Sequence, residues 1–155
     1  MRALPTATRP KLPKKLQAFK VYLRPWLVQF SYTDPLLHYE VVTHGERRGV
    51  LEIGLHFESR TSQVNAELLA GFMRHLFEIK IELGEQIEAE VWDKGWTKVY
   101  ETIDLDSFDQ AYLDHVAGRL AKMMTVLQPI FEKVTKDQKK PGLSKGRRSE
   151  GTSLR

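Results

Sequence analysis

The chain contains no cysteine. That excludes disulfides, thiolate nucleophiles, iron–sulfur clusters and every cysteine-based zinc site. No run of about 18 apolar residues occurs, so the sequence predicts no membrane-spanning helix. The N-terminal stretch MRALPTATRPKLPKK lacks the apolar segment of a secretory signal. A cytoplasmic location is the expectation. Also missing are Gly-x-x-x-x-Gly-Lys, Gly-x-Gly-x-x-Gly and Gly-x-Ser-x-Gly, so the phosphate-cradling loops and the serine nucleophile elbow fail. What remains is 155 residues, 41% apolar and 28% charged, which suits one globular domain with a real core.

Acidic side chains are absent from one region. Residues 1–24 carry seven basic groups and no acid, and residues 136–155 carry seven basic groups against Asp137 and Glu150. With a formal total of +4, the body between them is left at −8. Pro5, Pro10 and Pro13 among few large apolar groups make 1–14 a disordered basic arm by composition, and 136–155 reads as a disordered basic tail. A single α+β domain is expected over 15–135.

Within that domain, Leu16, Phe19, Val21 and Leu23 suggest a short N-terminal helix, ended before Pro25. Trp26–Ser31 suits a short extended segment. Leu36–His44 and Val50–Glu58 read as a hairpin around a loop with glycine at each end. In its second strand Leu51, Ile53, Leu55 and Phe57 alternate with Glu52, Gly54, His56 and Glu58, which predicts one buried face and one wet face. Thr61–Leu83 repeats apolar residues at three- and four-residue steps, the pattern of one amphipathic helix closed by Gly84. Gln86–Trp92 and Trp96–Ile103 form a second hairpin. A last helix begins near Asp106 or Ser107 and runs to Val134, with Pro129 expected to kink or break it. Two strand–strand–helix units thus predict a four-stranded antiparallel sheet with its helices on one face.

The run Gly49–Glu101, with Glu82-Leu83-Gly84 closing a helix and Glu88-Ala89-Glu90-Val91-Trp92 as an acidic strand, precedes a Leu/Met-rich helix carrying Gln128-Pro129-Ile130. This resembles an uncharacterised bacterial domain that accompanies restriction-endonuclease-like (PD-(D/E)XK) domains. The resemblance implies a prokaryotic origin and an accessory role near DNA processing. The nuclease chemistry itself needs Glu-x-Lys on a strand, and Glu78-Ile79-Lys80 falls within a predicted helix.

Three groups of residues are candidates for function. Lys139, Lys140, Lys145, Arg147 and Arg148 of the tail, with Lys11, Lys14 and Lys15 of the arm, suit salt-sensitive contact with DNA or RNA phosphates. Trp92, Trp96 and Tyr100 gather on the second hairpin, where exposed aromatics would anchor a protein partner. The triplets His38-Tyr39-Glu40 and His56-Phe57-Glu58 place His and Glu on one side of their strands. With His44, Glu52, Glu88 and Glu90 they form a face whose donors suit Zn²⁺, Mn²⁺ or Fe²⁺. The solvated side of a half-buried sheet is polar in any case, so the expectation is no metal, no cofactor and no catalytic residue. The chain reads as a non-enzymatic accessory or adaptor domain, with a protein-interaction module and a metal-dependent enzyme as the alternatives.

Overall fold

The computed structural model describes residues 1–45 and 47–139. The chain is α+β, and its one sheet has six antiparallel strands in the order β1-β2-β3-β4-β6-β5. These are β1 (Lys20–Leu23), β2 (Leu27–Ser31), β3 (Leu37–Thr43), β4 (Val50–Phe57), β5 (Glu88–Val91) and β6 (Thr97–Asp104). The helices are α1 (Leu4–Thr8), α2 (Ser62–Met73), α3 (Leu76–Leu83) and α4 (Gln110–Gln138).

The expected four strands are therefore corrected to six. Phe19, Val21 and Leu23 fit a period of two as well as a helix, and the chain takes the strand. A 3₁₀ turn at Lys14–Leu16 leads into β1, which turns at Pro25 and pairs with β2. The expected helix between Lys15 and Arg24 does not form. Nor is the 1–14 segment a free arm. Leu4, Thr8 and Leu12 recur at four-residue steps and are all buried, with α1 and the following 3₁₀ turn packed on α4. Burial of that stripe outweighs the proline content.

Helix α4 continues through Pro129. The proline lies on the exposed side, where water can hydrate the carbonyl left without its N–H partner. The helix starts later than expected, because the Asp109 carboxylate caps it by accepting from the Tyr112 N–H at 2.8 Å. The single helix expected over Thr61–Leu83 is divided at Arg74–His75 into α2 and α3. The break lets α2 pack on β5, β6 and α4 while α3 packs on α4.

One face of the sheet is the hydrophobic core. Tyr39, Val41, Leu51, Ile53, Leu55, Phe57 and Val99 meet the helices, with Phe57 against Phe72 of α2 and Phe131 of α4. Met123 and Met124 are both buried there. At the β5–β6 turn Lys94 and Gly95 both have positive φ, the conformation a tight hairpin demands and glycine supplies without strain.

Candidate metal centre

The other face of the sheet carries the polar residues, in register. Across β3, β4 and β6, His38 pairs with His56 and His56 with Lys98; Glu90 of β5 completes the row. In the neighbouring row Gly54 lies between Glu40 and Tyr100. A Cβ at Gly54 would lie 2.8 Å from the Tyr100 Cβ and 3.2 Å from His56 Nε2. Glycine is what lets the His56 ring lie across its own strand.

This face is not wet at its centre, which corrects the expectation from alternation. His38 and His56 are each only 2% exposed, and Glu40, Glu52 and Lys98 are also buried. Trp92 packs edge-on against the His56 ring at 5.8 Å, and Lys98 Nζ lies 4.0 Å from the Tyr100 ring. Alternation tells which side chains share a face; it does not tell what covers them.

His38 and His56 stack with ring centroids 5.7 Å apart. His38 Nδ1 lies 2.8 Å from the Pro35 carbonyl oxygen, which can only accept. Nδ1 therefore carries the hydrogen, and in the neutral ring Nε2 presents a lone pair. That Nε2 has no hydrogen-bond partner. It faces Glu40 Oε2 at 3.4 Å and Glu58 Oε1 at 4.0 Å. His56 Nδ1 approaches Glu58 Oε1 at 3.3 Å. One donor atom from each of His38, Glu40, His56 and Glu58 lies within 4.8 Å of the others. Tetrahedral Zn²⁺ at about 2.0–2.2 Å from N and O ligands needs donors about 3.4 Å apart. Closing this set is a contraction of side chains, without a change of register.

Glu52 supports the set from beside it. Its carboxylate accepts from Lys98 Nζ at 2.8 Å, and sits 3.1 Å from His56 Nε2 and 3.0 Å from His44 Nε2. Burial pushes the Glu52 carboxyl up, but hydrogen bonds from His56 and Lys98 and the charges of both outweigh it and hold it down to about 2. Burial likewise pushes the His56 imidazole down, and hydrogen bonds to Glu52 and Glu58 with the charges of Glu40 and Glu52 raise it to about 9. The Glu40 carboxyl is lowered despite burial, by His38, His56 and Gln29.

Of the polar face read from sequence, four residues converge as possible ligands, while His44 and Glu52 pair with each other. Glu88 and Glu90 lie at the exposed rim, bonded to Tyr100 and paired with Lys98. Trp92 and Trp96 tilt against each other at 5.5 Å, so this hairpin cluster is in part the cover of the polar row. Lys11, Lys14, Lys15 and Lys139 are exposed; Lys140, Lys145, Arg147 and Arg148 lie outside the described residues. Sequence reasoning passed over Lys98 and Gly54. Both were signalled: Lys98 is out of phase with the apolar residues of its strand, and a mid-strand glycine marks a close approach. Comparison with protein-family models, curated proteins and solved structures finds no match to the chain.

Proposed function

We propose that this protein binds one divalent transition-metal ion, of the Zn²⁺ class, through His38, Glu40, His56 and Glu58. The observation that carries the reading is the His38 Nε2 lone pair, buried, unpartnered and turned toward two carboxylates. A buried acceptor facing acceptors is unfavourable unless a proton or a metal cation lies between them, and the metal ion is the occupant that also engages the second imidazole and both carboxylates. With His38 and His56 neutral, as ligation requires, the carboxylates Glu40, Glu52 and Glu58 face Lys98 and His44, both of which contact Glu52. A divalent ion supplies positive charge between Glu40 and Glu58, with which neither pairs. Bound through Nδ1, His56 would donate its Nε2–H to Glu52, the carboxylate–histidine–metal arrangement that fixes ring orientation.

Four protein donors complete a tetrahedral set and leave no position for substrate, the mark of a structural or carrier site rather than a catalytic one. The role proposed is therefore that of a non-enzymatic metal-binding domain. Metal-free protein titrated with Zn²⁺, and separated from free ion, should retain one equivalent by elemental analysis. His38→Gln and Glu58→Gln should retain far less while remaining folded. Retention below a tenth of an equivalent by the wild-type chain, or equal retention by both variants, would overturn the reading.

A further inference from the structure

A second surface, on the opposite side of the sheet, has no role in the metal reading. Helix α3 is apolar on most sides: Leu76, Phe77, Ile79, Ile81 and Leu83 are five of its eight residues. Ile79 and Leu83 are buried against the core. Phe77, however, is 78% exposed and Ile81 65%. Met73, at the end of α2, is exposed as well. Residues 77 and 81 are one turn apart on α3 and form a short stripe on its outer side, and Met73 lies just across the break at Arg74–His75. A helix apolar all round is ordinarily covered all round, and exposed aromatic and aliphatic groups in contiguity mark an interaction surface.

Beside the stripe runs an apolar groove of about 450 Å³ between α3 and α4, lined by Glu78, Ile79, Ile81, Glu82, Val126 and Ile130. One surface thus holds a protruding phenyl ring and a groove large enough to receive one. The charges are arranged in the same way. Arg74 stands at the N-terminal end of the stripe and Glu82 at its C-terminal end. Neither has an ion-pair partner among the described residues. A two-fold axis beside residue 78 would lay a second α3 antiparallel on the first, with the two Glu78 side chains, each 3.2 Å from its own His75, nearest the axis. It would seat each Phe77 by the other copy's groove and bring each Arg74 to the other copy's Glu82. Self-complementarity of one patch is the requirement for a closed, isologous pair.

We propose that the protein forms a two-fold homodimer in which α3 packs antiparallel on α3 of a second copy, with Phe77 as the anchor. A patch of a few large side chains is at the small end of specific interfaces, so the dimer is reversible, with half-association at about 10–100 μM.

Sedimentation velocity on the full chain, over a concentration range spanning about 5–500 μM, tests it. The wild-type chain should move from monomer to dimer, with no larger species. Phe77→Ser and Ile81→Ser should shift half-association upward at least tenfold with an unchanged circular-dichroism spectrum, since both side chains are exposed. Arg74→Glu alone should weaken the pair, and Arg74→Glu combined with Glu82→Arg should restore it. A chain that is monomeric throughout would overturn the proposal, as would a dimer unaffected by Phe77→Ser and Ile81→Ser, or a ladder of higher oligomers. Adding Zn²⁺ should leave the association unchanged, because the metal set lies on the other face of the sheet.

Discussion

Gly54 sets how closely the polar row can pack. An added methyl group would meet the Tyr100 Cβ at 2.8 Å, the Val99 carbonyl oxygen at 3.1 Å and His56 Nε2 at 3.2 Å. Two of these three neighbours belong to rigid parts of the sheet, so His56 must give way. Gly54→Ala should cost about 1–3 kcal/mol in urea unfolding and should weaken Zn²⁺ retention with it. The metal-free protein also carries a pH signature. His56, raised from 6.5 to about 9, stabilises fully below pH 6.5, and that contribution is lost as pH rises through 9. Glu52, lowered from 4.5 to about 2, contributes fully above pH 4.5 and loses its contribution as pH falls through 2. In the presence of chelator, urea midpoints should therefore be highest between about pH 4.5 and 6.5 and fall on both sides. His56→Gln should flatten the alkaline limb. The pairing of His with Glu at i and i+2 was legible at this scale, because strand geometry fixes it. The three partners of Glu52 were not, since they come from β4 itself, from the hairpin loop and from a strand 46 residues away.

Elements were legible where one period excluded the other. The alternation from Leu51 to Phe57 admits only a strand, and β4 runs from Val50 to Phe57. Phe19, Val21 and Leu23 satisfied two periods at once, and partner strand β2 decided between them. The N-terminal segment was misread because proline and basic residues dominate its composition, while three buried side chains dominate its energetics. Leu4 is fully buried, so Leu4→Ala should cost about 2–5 kcal/mol by the lost transfer energy and the cavity left. Thermal unfolding of the variant would check it; an unchanged midpoint would mean that α1 does not stay docked. Pro129 teaches the converse. A helix breaker in the interior of a pattern is tolerated when it stands on the solvent side of a helix fixed elsewhere by its core contacts.

For the molecule as a whole, the sheet separates two kinds of interior. One face is mainly apolar beneath α2 and α4, with Glu101 buried against Arg119 of α4 at 2.6 Å; the other buries a whole row of ionisable groups beneath aromatic side chains. Net charge read along the chain could locate acid and base, but not fold them against each other. No helix among the described residues is long and apolar enough to cross a membrane. Metal binding should be visible at this scale as stability. With free Zn²⁺ at about 100 times its Kd, the native state gains about 2.7 kcal/mol. For a chain of this size that raises Tm by about 5–10 °C. Differential scanning calorimetry should show the shift in wild type and none in His38→Gln.

The ionised second face has a further consequence, for the curvature of stability with temperature. Unfolding hydrates apolar groups, which raises heat capacity, and polar groups, which lowers it by about 0.26 cal/K/mol per Å². Releasing the buried carboxylates, imidazoles and ammonium group subtracts on the order of 0.1 kcal/mol/K from the total. A smaller heat-capacity change makes a broader stability dome, so this sheet should resist cold as well as heat better than one of equal size with two apolar faces.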